Sequence, residues 1–218
     1  MHESELHEDN MFLTLTYDDE HLPEDRSVRI EVMQKFLKRY RKRVSPVRFK
    51  FFQCGEYGEN YGRPHYHLII FGHWFEDAVD LETDDGNTVY FSDCLRSLWP
   101  FGNHLIGSVT FDSCAYVARY CTKKLDGDRA DEYVFVDEET GEIFEVLPEC
   151  SSQSNGLGLE WFKSFHSDIW NGKDDDFVVA SNGVPAKPPR YYFKKLEELE
   201  EEGPIFVNSR GVGTRARY

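Results

Sequence analysis

Alternation of apolar and polar residues marks the first element. MFLTLTYDD, from Met11, is rich in β-formers and ends in acids, which predicts a strand running into a turn. Over residues 30–44 the period changes: Phe36, Leu37, Tyr40 and Val44 recur at helical spacing and predict an amphipathic helix. VRFKFFQCGEYG, from Val47, reads as a strand with a glycine-bounded exit. HYHLIIFG, from His65, is another strand, introduced by Arg63-Pro64 and stopped at Gly72. The turn-rich GENYGRP between them predicts an antiparallel hairpin. Further along, residues 93–99 predict a short helix, Val89–Phe91 a strand, and HLIGSVTF from His104 a strand. Asp112 or Ser113 is placed to cap a helix that continues as CAYVARYCTKKL and stops near Gly127. VFVDEETGEIFEV reads as an exposed hairpin, Leu159–Trp170 as a helix, and PPRYYFKKLEELEEE from Pro188 as extended, then helical. Strands and helices mix without strict βαβ alternation or internal repeats, so the expected class is α+β.

The 218 residues suffice for one large domain, with a core that needs no disulfide or metal staple. The expectation is a single domain over 1–218, with an acidic insertion at about 126–150 and a C-terminal helical extension at about 188–203. Lys+Arg is 25 and Asp+Glu is 40, a net charge of −15, which argues against a general nucleic-acid or membrane coat. No apolar run approaches the ~20 residues of a membrane span. The polar opening MHESELHEDN shows no signal peptide. Five cysteines with no CxxC fit neither a disulfide scaffold nor a zinc finger, and point to a reducing, cytosolic setting.

Charge is segregated. Asp126–Glu149 carries ten acids against one arginine. Lys35, Lys38, Arg39, Arg41, Lys42, Arg43, Arg48 and Lys50 follow one another with no acid between them. The bland reading of this basic run is a solvated helix face; the functional one is a surface that tracks phosphates.

His65 and His67 flank Tyr66 on one strand, so both imidazoles point to the same face, with Ile69 and Phe71 packing below. A metal ion at such a pair needs charge balance from a carboxylate. Glu56, across the hairpin, is the better candidate and Glu59, in the turn, the weaker. Three ligands leave open positions for a substrate oxygen and water. An HxH pair on a strand also occurs by chance. Asp18, Asp19 and His21 either support the site from outside or merely form a turn.

On the helix YVARYCTKK, Tyr116 and Tyr120 are four residues apart and share a face. Each is followed three residues later by a base, Arg119 and Lys123, with Lys124 beyond. A phenol titrates near ~10, and a cation within reach favours the phenolate. Attack of such a tyrosine on a phosphodiester gives a reversible aryl ester. Two tyrosines let one hold a DNA end while the other cuts again. Taken alone, the pair is as readily a packing stripe.

Together FLTLTYDDEHLP, CGEYGENYGRPHYHLIIFG, LWPFG and YVARYCTKK resemble the replication initiator proteins of microviruses, particularly the gokushovirus branch, which belong to the HUH endonucleases. SNGLGLEWF and PPRYYFKKLEEL are similar to that group as well, so the resemblance runs from about Met11 to Leu199. It implies a central antiparallel sheet carrying the HxH strand, with a tyrosine-bearing helix against it. By that resemblance His65, His67 and Glu56 hold a divalent ion, Mg²⁺ or Mn²⁺. Tyr116 and Tyr120 are the paired nucleophiles, with Lys123 beside them. Arg119 stands where relatives in the wider class often have lysine. Members usually carry a Cys- and Arg-rich segment before the MHE that opens this chain; its absence suggests a truncated gene or a downstream start, with weaker origin binding.

The implied activity is rolling-circle initiation: nicking and rejoining of single-stranded DNA at an origin through a 5′-phosphotyrosine, without ATP. Lys35, Lys38, Arg39, Arg41, Lys42 and Arg43 would follow phosphates, and exposed aromatics would stack unpaired bases. Two imidazoles bias the ion toward manganese. Implied partners are single-stranded origin DNA and the host helicase and polymerase, in the cytoplasm of a bacterial host and away from membranes. Two alternatives use the same residues differently. A non-catalytic nucleic-acid-binding module would bind DNA without cutting it, and a 2-His-1-carboxylate iron oxygenase would leave the tyrosines and the basic helix without a task.

Overall fold

A computed structural model describes residues 1–58, 62–81, 88–123, 133–136, 141–170, 178–179, 185–201, 205–207 and 213–215; at 120–123, 179, 200–201, 205–207 and 213–215 it describes the backbone alone. Of the expected acidic insertion, residues 126–132 and 137–140 lie outside the described residues. The chain divides into two compact units, residues 1–157 and 158–218.

The first unit is built on seven strands: β1 (Asn10–Thr16), β2 (Lys50–Tyr57), β3 (Pro64–Phe71), β4 (Val79–Leu81), β5 (Val89–Phe91), β6 (His104–Gly107) and, beyond a small separate hairpin, β9 (Cys150–Gln153). That hairpin is β7 (Val134–Val136) paired with β8 (Ile143–Glu145). The sheet order is β4-β5-β6-β1-β3-β2-β9, and every pairing is antiparallel. The expected α+β class and the central position of the HxH strand both hold.

The alternation along β1 divides the sheet into two faces. Met11, Leu13 and Leu15 join Tyr66, Leu68 and Ile70 of β3 in the larger core. Helix α1 (Ile30–Val44) covers this face with Met33, Phe36, Leu37 and Tyr40, a stripe at i, i+3, i+4 and i+7. Its last turn carries Arg41, Lys42 and Arg43, the sign that the C-terminal end of the helix dipole favours. Helix α2 (Asp93–Leu98) and the fully buried Trp99 complete the layer, and the Trp99 indole N–H donates to Thr16 O at 2.9 Å.

Helix α3 (Phe111–Lys123) packs on the opposite face, where Val117 meets Cys54, Ile69 and Phe71. Its start differs from expectation. The cap is Thr110, not Asp112 or Ser113: Thr110 Oγ1 accepts from the Ser113 N–H at 3.1 Å, and Ser113 Oγ accepts from the Thr110 N–H at 2.8 Å. This reciprocal box opens the helix at Phe111, so β6 ends at Gly107 and does not run on through SVTF.

The second unit contains α4 (Leu159–Ile169) and α5 (Arg190–Glu201), with a core of Phe162, Ile169, Val178 and Tyr192. Two short pairs accompany them: β10 (Val178–Val179) with β11 (Pro185–Ala186), and β12 (Ile205–Val207) with β13 (Gly213–Arg215).

Candidate metal centre and tyrosine helix

Register brings the ligands together. Glu56 lies directly opposite His65, while Cys54 on one side and Thr14 on the other lie opposite His67. Directly paired residues share a face, so Thr14, Glu56, His65 and His67 all point toward α3. One oxygen is the focus: Glu56 Oε1 is 2.8 Å from His65 Nε2, 2.8 Å from His67 Nε2, and accepts the Tyr116 hydroxyl at 2.8 Å. One ligand atom from each of Glu56, His65 and His67 lies within 4.8 Å of the others.

The far side of each imidazole is also fixed. His65 Nδ1 is 3.1 Å from the Arg63 carbonyl, which only accepts, so that nitrogen carries the proton and Nε2 is left with its lone pair when the ring is neutral. His67 Nδ1 is 3.1 Å from Thr14 Oγ1. Arg63 is itself anchored, donating to Asp19 Oδ1 at 2.8 Å and to Tyr17 O at 3.1 Å. The His67 ring stacks on Phe12 at 5.2 Å between centroids and meets the Tyr116 ring edge-on at 5.1 Å.

Electrostatics follow from burial and these contacts. Burial alone would raise the Glu56 carboxyl, but the two imidazoles outweigh it and hold it at about 2. His65 is also penalised by burial, yet the Glu56 carboxylate raises it above its ordinary value. At His67 burial prevails and the pKa is lowered, which favours the neutral, ligating ring.

Glu56 is 1% exposed, and its Oε2 has no hydrogen bond among the described residues. His67 Nε2, although close to Glu56 Oε1, makes none of hydrogen-bonding geometry either. Buried polar atoms are rarely left unpaired. Two such atoms beside a third, in a set of two nitrogens and one carboxylate, fit a divalent metal ion.

The remaining candidates fall as follows. Tyr120 and Lys123 lie in α3, but their side chains are outside the described residues, as are Glu59 and Lys124. Helical spacing places Tyr120 one turn beyond Tyr116. Arg119 is exposed on α3. Asp18 and His21 bond to each other at 2.7 Å in the turn after β1. The basic residues Lys35, Lys38, Arg39, Arg41, Lys42 and Arg43 lie on α1, across the sheet from the cradle. Sequence reading passed over Thr14 and Arg63. Thr14 had a signal, since period two along FLTLT puts it on one face with Phe12 and Thr16.

An antiparallel sheet presenting two histidines and a carboxylate to a tyrosine-bearing helix defines a metal-site α+β protein of nuclease-like build. Residues 10–125, more than half of the chain, match the family of replication-associated proteins of the ORF2 type, and the chain belongs to that family. It is 36% identical over 201 residues to the replication-associated protein VP4 of Bdellovibrio phage phiMH2K, covering 88% of this chain and 59% of the relative. It is 30% identical over 204 residues to the replication-associated protein ORF2 of Spiroplasma virus 4, covering 88% and 60%. With the replication-associated protein ORF4 of Chlamydia phage 1 it shares 32% over 217 residues, covering 94% and 50%. The chain thus spans between half and three-fifths of the length of these relatives. No solved structure matches it.

Proposed function

We propose that this chain initiates rolling-circle replication by nicking and rejoining single-stranded DNA at an origin, through a 5′-phosphotyrosine formed first on Tyr116. The observation that carries this reading is the 2.8 Å hydrogen bond from the Tyr116 hydroxyl to Glu56 Oε1, the oxygen on which both imidazoles converge. A phenol tethered there is a nucleophile held at the position a scissile phosphate would occupy.

The chemistry that a divalent ion held by Glu56, His65 and His67 supplies when bound is polarisation of the phosphate. The donor set suits manganese better than magnesium, which prefers oxygen. Tyr116 Oη forms the new bond to phosphorus, and the bond to the 3′ oxygen breaks. The phenol proton leaves along its hydrogen bond to Glu56, and the departing 3′ oxygen takes a proton from water. Thr14 and the Arg63 carbonyl hold the imidazoles in place throughout. The tyrosyl ester conserves the energy of the phosphodiester, so a 3′-hydroxyl can later reverse the step. Tyr120, one helical turn away, is the second nucleophile; Arg119 and Lys123 supply positive charge along α3. Origin DNA and the host replication machinery, within a bacterial host, are the partners of this role. Among the described residues no helix is long and apolar enough to cross a membrane.

The test is incubation with labelled single-stranded oligonucleotides and Mn²⁺, followed by a denaturing gel. A covalent protein–DNA band is expected, and it disappears in the double variant Tyr116→Phe/Tyr120→Phe. DNA binding with no such band in the wild type would instead support a non-catalytic module. Iron-dependent oxygen uptake would support an oxygenase.

A further inference from the structure

The basic helix does not face the cradle. Glu56, His65, His67 and Tyr116 lie on the α3 side of the sheet, and α1 covers the other side with its apolar stripe against the core. Layer spacing of about 10 Å and a helix diameter of about 10 Å put the outer cations of α1 roughly 20 Å from the cradle. A strand seated at Tyr116 therefore runs on the opposite face from these cations.

Not all six candidate cations on α1 are available. Arg39 is half-buried and donates to Leu98 O at 2.9 Å. Arg43 Nε donates to Cys94 Sγ at 3.4 Å, and Arg43 lines a cleft shared with Asp9, Glu76, Asp77 and Asp93. Lys35, Lys38, Arg41 and Lys42 remain, all exposed. Arg41 also lines a second cleft of about 480 Å³ with Arg48, Ser45, Pro46, Val47 and Phe49, and no carboxylate lines it. The Arg41 guanidinium sits over the Phe49 and Phe51 rings at 5.6 and 5.3 Å, which holds the charge in place.

We infer that the outward face of α1 is a second nucleic-acid surface, which holds double-stranded DNA by its phosphates. This deepens the reading of the chain as a protein that acts on DNA. Charge complementarity selects a polyanion: four exposed cations and Arg48 stand together on a chain of net charge −15, which repels polyanions elsewhere. The kind of polyanion follows from what the face lacks. The exposed residues of α1 are Glu31, Gln34 and the cations, with no aromatic among them. Binding to unpaired strands relies on aromatic platforms for the bases. A surface of cations alone reads only the backbone, the part a duplex presents with its bases stacked inside. The duplex beside a nick site would then rest on α1 while the unpaired strand enters the cradle.

The experiment measures fluorescence anisotropy of a labelled duplex of about 20 base pairs with the full chain, across a series of KCl concentrations. The expected slope of log affinity against log salt is about −3 to −4, from four cation–phosphate contacts. The variant Lys35→Gln/Lys38→Gln/Arg41→Gln/Lys42→Gln, checked for an unchanged melting curve, should bind at least about 100-fold more weakly at low salt, with a slope near zero. An excess of an unlabelled single strand of about 8 nucleotides should leave the duplex bound. Undiminished duplex binding by the variant overturns the inference. So does displacement of the duplex by the short strand, or equally tight binding of a single strand or an RNA duplex of the same length. Covalent adduct formation by the wild type is scored separately. An adduct without duplex binding defeats this inference alone; duplex binding without an adduct defeats only the nicking chemistry.

Discussion

Thr14 Oγ1 stands 3.1 Å from His67 Nδ1, joining β1 to the ligand strand behind the ring that faces Glu56. With a metal ion on Nε2, the Nδ1–H donates to Thr14 and the ring cannot turn. Thr14→Val keeps the shape and removes the acceptor. It should weaken Mn²⁺ binding by about 10-fold or more by titration calorimetry, with Thr14→Ser restoring most of it. Unchanged affinity in the valine variant would mean that the bond is incidental.

Removing the carboxylate tests the cradle itself. Glu56→Gln keeps the volume but deletes the charge that raises His65 and the oxygen on which Tyr116 rests. Mn²⁺ binding should fall by about 100-fold or more. In the metal-free variant the His65 titration, followed by NMR, should move down, since the main influence raising it is gone.

Gly55 leaves room for a buried ring. A Cβ there would come within 2.8 and 2.9 Å of the Tyr66 ring carbons and 3.1 Å of Val28 Cβ. Tyr66 is fully buried, and its hydroxyl accepts the Arg29 N–H at 2.9 Å, so the ring has little freedom to retreat. Gly55→Ala should therefore destabilise the fold by about 1–3 kcal/mol in denaturant unfolding. A smaller cost would show that the ring can yield.

Asp77 anchors α2 through a relay. Its carboxylate accepts Ser92 Oγ at 2.7 Å and the Cys94 N–H at 2.8 Å, and Ser92 Oγ in turn accepts the Leu95 N–H at 3.0 Å. Partial burial opposes the charge, but these donors outweigh it and lower the pKa below the ordinary 3.8. A lowered folded value means that the stabilisation is complete above 3.8 and is lost as the pH falls through the folded value. Asp77→Asn should flatten the acid limb of the stability–pH curve and leave the neutral region nearly level. An unchanged acid limb would show that the relay carries little of the acid sensitivity.

Much of the cradle was readable because β3 obeys period two: HYH fixes both imidazoles on one face, and the hairpin turn sets Glu56 against His65. Other parts depend on long-range pairing that local pattern does not carry. β9 reads CSSQ, with no apolar alternation, and becomes a strand by pairing with β2. The α3 cap lay in Thr110, two residues before Asp112, within what looked like a continuing strand. Nor does the amphipathic pattern of α1 disclose which face of the sheet it covers. Met33 and Phe36 need a partner surface, and only the alternation of β1 against β3 decides that it lies opposite the histidines.

The cradle draws Thr14, Glu56, His67 and Tyr116 from four stretches spread over a hundred positions of the chain, and their meeting depends on interior strands β1, β3 and β2 being zipped together. No fragment ending before α3 contains the whole set. A nascent polypeptide still emerging from the ribosome is consequently inert toward nucleic acid chemistry, and competence arrives at once, when the last of these pieces docks.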